Sequence, residues 1–133
     1  MHYTGTIWRP PYEAASLLLE VTAGCTHHRC KFCTLYADLP FSFRMSPLED
    51  IKEDLKEAQK RCRKLTGREV TRTFLTGANP FVLKYERLMK ISEMIDEYFP
   101  GMKTIGGFAR ITDITPKSIT ELKELRTIGY NRI

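Results

Sequence analysis

The sequence predicts an α/β fold, a parallel sheet of about three and a half βα units curled as a partial barrel. Three observations carry this. Short runs rich in apolar and β-branched residues alternate with amphipathic helical stretches in the order β-loop-α-β-α-β-α-β, which is the pattern of βαβ units. Each helical stretch repeats its apolar positions at steps of three or four, one face per helix. Glycine and proline fall at the junctions, where a chain stops one element and starts another. The 133 residues suffice for one domain.

The elements follow in order. Residues 1–15 form a lead-in whose WRPP is too rich in proline for a helix or a central strand. Residues 16–22, SLLLEVT, read as a strand buried on both faces. A non-periodic stretch runs from there to about Met45 and holds three of the four cysteines; loops of that length inside a compact domain are usually functional. A helix then opens at Ser46 as N-cap, with Pro47 in the first turn and Glu49 completing a capping box. Its apolar stripe is Leu48, Ile51, Leu55, Ala58, Cys62 and Leu65, and Gly67 is expected to end it. Residues 70–77, VTRTFLTG, make the second strand, closed by Gly77, and GANP turns the chain. A second helix over residues 84–99 carries Leu88, Ile91, Ile95 and Tyr98 inward and stops at Pro100-Gly101. Residues 103–108, KTIGGF, are the third strand. Thr115-Pro116 opens a third helix with Ile119, Leu122, Leu125 and Ile128 inward, and YNRI begins a fourth strand.

In such barrels ligands bind beyond the C-terminal ends of the strands. The cysteine loop, GANP and ARITD all follow strand ends, so they should converge on one face. Three and a half units leave an open sheet edge; the expectation is the first half of a larger domain, cut short or completed by another chain.

No apolar run approaches the roughly 20 residues of a membrane span; the longest, Leu17-Leu18-Leu19, ends at Glu20. The first sixteen residues lack the basic and long apolar regions of an export signal. A cytoplasmic chain with reduced thiols is expected, and disulfides are not. The net charge of +5 admits an anionic partner, but the basic cluster KRCRK ends a helix and has no interleaved aromatics, so it supports nucleic acid only weakly.

The chemistry concentrates in GCTHHRCKFC, where Cys25, Cys30 and Cys33 stand in a C-x4-C-x2-C arrangement. Structural zinc wants four ligands, usually as two separated pairs. His27 or His28 could supply a fourth, but nine consecutive residues close a tetrahedron awkwardly. A [4Fe–4S] cluster accepts three close thiolates on three of its irons and leaves the fourth open, whereas an electron-transfer ferredoxin supplies all four. Cys62 lies on the apolar helix stripe and reads as a small buried hydrophobe rather than the missing ligand.

SLLLEVTAGCTHHRCKFCTLY resembles the opening strand and cluster loop of the radical S-adenosylmethionine (radical SAM) superfamily, and RPPYEAASLLLEVT and GFARITDITPKSITELKELRTIGYNRI are similar to its uncharacterised Elongator-like and methylthiotransferase-like branch. The resemblance implies the N-terminal half of a TIM-like barrel, with three cysteines ligating the cluster and SAM chelating the open iron. It implies reductive cleavage of SAM to a 5′-deoxyadenosyl radical, with a flavodoxin or ferredoxin as reductant and a substrate that the sequence does not name. Gly77, Ala78 and Asn79 match the family's Gly-Gly-Glu-Pro-like turn at SAM's amino end, and Phe32 matches the aromatic near the adenine. Arg110 stands where it could reach SAM's carboxylate or instead pair with Asp113. The chain departs from the common C-x3-C-x2-C spacing by one residue, and Ala78 and Asn79 replace a glycine and a glutamate. Arg29 and Lys31 place positive charge beside the anionic cluster. Tyr36 reads as packing against the loop, and Trp8 as a lid or anchor of the lead-in. Two further readings stand beside this one: a non-catalytic zinc or iron–sulfur module, and a truncated fragment without activity.

Overall fold

The computed structural model describes residues 1–65 and 69–133. The elements in chain order are β1 (Leu17–Glu20), β2 (Thr22–Gly24), β3 (Phe43–Met45), α1 (Leu48–Leu65), β4 (Arg72–Thr76), α2 (Tyr85–Tyr98), β5 (Thr104–Gly107), α3 (Ile111–Ile114), α4 (Ile119–Thr127) and β6 (Tyr130–Arg132). Strands β1, β4, β5 and β6 form one parallel sheet in that order. Strand neighbours in sequence are neighbours in space, with a helix in every crossover, so right-handed crossovers set all the helices on one face. The packing of α1 against α2 and of α2 against α4 agrees with this. The fold is therefore the expected α/β class with a parallel sheet, open at β1 and β6.

Side-chain alternation divides the sheet between two environments. Leu19, Leu75 and Ile105 face the helices and meet Ile51, Leu55 and Ala58 of α1, Leu88, Ile91 and Ile95 of α2, and Leu125 of α4 in one core. Burying each of the larger aliphatic side chains contributes about 1.5–3 kcal/mol. The stripes read from the sequence for α1 and α2 are those that the core uses. The opposite face carries Arg72, Phe74 and Arg132, and the lead-in crosses it. Glu13, 1% exposed, lies between the guanidiniums of Arg132 at 3.0 Å and Arg72 at 3.4 Å. A buried carboxylate needs such pairing. Thr4 donates its amide and hydroxyl to the Glu20 carboxylate, and the Tyr3 hydroxyl donates to the Leu18 carbonyl at the β1 edge. The proline-rich stretch makes only a single 3₁₀ turn, Pro11–Glu13.

Several expectations need correction. The strand over residues 16–22 divides at Val21, where the chain bends: β1 stays in the parallel sheet, while β2 leaves it to pair antiparallel with β3. The loop before α1 therefore ends in a strand that the sequence reading did not include. The Ser46 amide donates to the Val21 carbonyl and its own carbonyl accepts from Arg87; the first helical bond of α1 runs from Ile51 to the Pro47 carbonyl, so Pro47 opens the ladder. The helix expected to open at Thr115-Pro116 is α4 and starts only at Ile119, and the short α3 ahead of it was not expected. Thr115 ends α3, and Ser118 caps α4 in a reciprocal box with Glu121. Ile119, expected inward, is 73% exposed in the first turn of α4, and Ile128 is 38% exposed. The expected stop at Gly67 and the stripe position of Leu65 lie outside the described residues and side chains.

Candidate metal centre

The cysteine loop begins where the hairpin holds it. Gly24 has φ +81°, and a Cβ there would stand 2.2 Å from the Ser42 carbonyl oxygen, so only glycine lets β2 lie this close to the returning chain. One residue on, the Cys25 amide donates to that same carbonyl at 2.8 Å, tying the first cysteine to the far end of the loop. His28 takes φ +47°, the left-handed region that reverses the chain between the first and second cysteines. A turn bond from the Cys33 amide to the Cys30 carbonyl, 3.2 Å, places the last two cysteines on one bend. Trp8 braces the loop from the lead-in, its indole N–H donating to the Leu35 carbonyl at 3.2 Å.

The outcome is one small cavity, about 60 Å³, lined by Cys25, His28, Cys30, Cys33, Tyr36 and Ala37. Cys25 is half-buried, and Cys30 and Cys33 are exposed. Burial pushes the Tyr36 phenol up to about 12, and the adjacent Cys25 and Cys33 add to the shift. Among the described residues, only His2, Asp50 and Glu53 bring three such ligand atoms within 4.8 Å of one another.

The next two strand ends are bonded to the loop through Thr26. Gly77, at the end of β4, has φ +120°, and a Cβ there would overlap Thr22, at 2.1 Å from Oγ1 and 2.9 Å from the carbonyl oxygen. The Ala78 amide donates to the Gly24 carbonyl at 3.3 Å. Asn79 is fully buried: its Oδ1 accepts from the Thr26 amide at 3.4 Å, and its Nδ2 donates to Thr26 Oγ1 and to Asp113 Oδ1. Arg110, after β5, donates from Nη2 to Thr26 Oγ1 at 2.9 Å and lies 3.6 Å from Asp113 Oδ1. The other Asp113 oxygen accepts the Arg110 amide at 2.8 Å. All three strand-end segments therefore converge, as the topology predicts.

The site residues read from the sequence are distributed as follows. Cys25, Cys30 and Cys33 share a cavity. Gly77 and Ala78 adjoin the root of their loop, and Arg110 reaches Thr26, next to Cys25. Both alternatives for Arg110 start from one geometry, since it is already paired with Asp113 while 38% of its side chain stays exposed. The Asn79 side chain is held by protein groups, which leaves its backbone to meet a ligand. Phe32 stands 89% exposed between Lys31 and Cys33. Cys62 packs against the core from α1. The pairing of Asp113 with Arg110 was expected and is made, but the sequence reading missed Thr26 as the hub; no spacing rule marks a threonine that acts through contacts 53 and 84 residues away.

Compared with protein-family models, curated proteins and solved structures, the chain matches none. No described helix is long and apolar enough to cross a membrane.

Proposed function

We propose that this chain is the cluster-binding part of a radical SAM protein, a partial βα barrel in which Cys25, Cys30 and Cys33 hold a [4Fe–4S] cluster and SAM takes the open iron. The observation that carries the reading is the common cavity of the three cysteines beyond the C-terminal end of β1, knotted to the ends of β4 and β5. Sequential parallel strands with helices on one face are how a βα barrel begins. The donor set fits the cluster: three soft thiolates lining one cavity. Structural zinc takes four ligands, usually as two separated pairs, whereas a cube holds each of three thiolates on its own iron and leaves one iron open.

When bound and reduced, the cluster supplies the electron that cleaves SAM to methionine and a 5′-deoxyadenosyl radical. This chain's residues hold and orient. Lys31 offsets the cluster's negative charge, and the Tyr36 phenol is a hydrogen-bond donor beside the thiols. The Gly77–Asn79 backbone accepts from an ammonium, and Phe32 offers an exposed ring to an adenine; of the two roles expected of Arg110, the pairing with Asp113 is the one that is made. The reductant is a small flavodoxin- or ferredoxin-like protein, and the setting is cytoplasmic. Anaerobic reconstitution with iron and sulfide tests this. It should give a brown chain with broad absorption near roughly 400 nm and about four irons.

One observation favours a second reading. His28 lines the cysteine cavity, so three thiolates and an imidazole could close on a single zinc. That protein would be colourless, hold one zinc per chain and lose it in His28→Ala.

A further inference from the structure

Beside the cysteine cavity, and sharing His28 with it, lies a second cavity of about 390 Å³ lined by Thr26, His27, His28, Arg29, Ser42 and Arg110. Its size falls in the range of small-molecule sites. Its lining is two guanidiniums, two imidazoles and two hydroxyls, with no carboxylate. We propose that this cavity binds the phosphate group of a phosphorylated small molecule. The proposal rests on the radical SAM reading only in making that molecule the substrate presented beside the cluster.

The guanidiniums are arranged for it. Arg110 is fixed by Thr26 at 2.9 Å, and its Nε is buried without a hydrogen-bond partner among the described residues. Asp113 lies 3.6 Å from Arg110 Nη2, and its Oδ2 is engaged by the Arg110 amide, so it neutralises the guanidinium only in part. Arg29 is exposed and has no ion-pair partner among the described residues. A net positive cavity follows, placed beyond the ends of parallel strands, where such folds bind ligands. The donors come from three separate segments: the start of the cysteine loop, its return at Ser42, and the residue after β5. Donors converging from several directions suit a tetrahedral oxyanion better than a flat carboxylate, which one arginine fork meets in its plane.

Inorganic phosphate titrated calorimetrically into the whole chain at low salt tests the site, with metal-free and with cluster-reconstituted protein. One saturable site is expected in both, weakened about tenfold or more in Arg29→Gln, the loss of one charge-assisted contact. Because Arg29 is exposed, that variant leaves the fold intact, and Arg110→Gln added to it should abolish binding. Absence of saturable binding overturns the proposal, as does binding unchanged in Arg29→Gln. Displacement of phosphate by L-methionine overturns it too, since the cavity would then hold the amino-acid end of SAM. Phosphate binding without cluster formation would sink only the cluster reading; cluster formation without phosphate binding would sink only this one.

Discussion

Asn79→Ala removes the side chain that joins the three strand-end segments, and its cost can be worked from the contacts. Thr26 Oγ1 would keep Arg110 Nη2 at 2.9 Å, and Asp113 Oδ1 would keep its weaker 3.6 Å contact to the same guanidinium. The Thr26 amide, now 3.4 Å from Asn79 Oδ1, would lose its acceptor. Leaving a buried donor unsatisfied costs about 1–3 kcal/mol. Thr26 is itself exposed, so water can reach part of the gap and the lower half of that range applies, about 1–2 kcal/mol. Asn79→Asp should cost more at neutral pH, because a carboxylate would stand against Asp113 Oδ1, where Asn79 Nδ2 now lies at 3.4 Å. Protonation relieves like-charge repulsion, so the excess should shrink as pH falls through the carboxylate range. Urea unfolding of the metal-free chain, read as a midpoint change at constant slope, measures both. A loss below about 0.5 kcal/mol in Asn79→Ala, within the range of ordinary surface substitutions, would refute the knot. Equal stability of the Asn79→Asp and Asn79→Ala variants at neutral pH would refute the electrostatic part.

Two further outcomes follow from local geometry. Gly77→Ala should lose about 1–3 kcal/mol, because the Thr22 hydroxyl can rotate away from the new methyl but the Thr22 carbonyl, 2.9 Å off, cannot, and φ is +120°; thermal unfolding reads it. The imidazole of His2 should titrate above its ordinary 6.5, since Asp54 hydrogen-bonds and attracts its charged form, with Asp50 and Glu53 adding to the field. Its contribution to stability is therefore complete below the unfolded value and fades as pH rises through the folded one. Proton NMR should show the raised midpoint fall back in Asp54→Asn, and a midpoint unmoved by that change would count against the pairing.

What the sequence made legible was whatever depends on short-range periodicity. Helix stripes such as Ile51-Leu55-Ala58 and Leu88-Ile91-Ile95 are repeats of one face, and burial follows from them directly. Strand β4 was found but drawn long at both ends, because β-branched Val70 and Thr71 precede the ladder without joining it and Gly77 already turns the chain. The division at Val21 was illegible, since an apolar run reads alike whether it continues one strand or starts a hairpin; the deciding bond, from Ser46 to Val21, spans 25 positions. The start of α4 was misplaced because Thr115-Pro116 and Ser118-Glu121 are both plausible openings, and only the reciprocal box at Ser118 is made. In the site, the cysteines and glycines announced themselves through spacing and turn chemistry. Thr26 as hub and the polar cavity did not, because they exist only once three distant strand ends meet.

In the proposed centre three particular thiols, and not the fourth, hold the metal group. Iron per chain after anaerobic reconstitution, compared across single alanine variants of all four cysteines, tests it most directly. About four irons are expected in the unaltered chain by the cluster's stoichiometry, with collapse in Cys25→Ala, Cys30→Ala and Cys33→Ala and retention in Cys62→Ala. Equal loss in Cys62→Ala, or full iron in any of the other three, would contradict it.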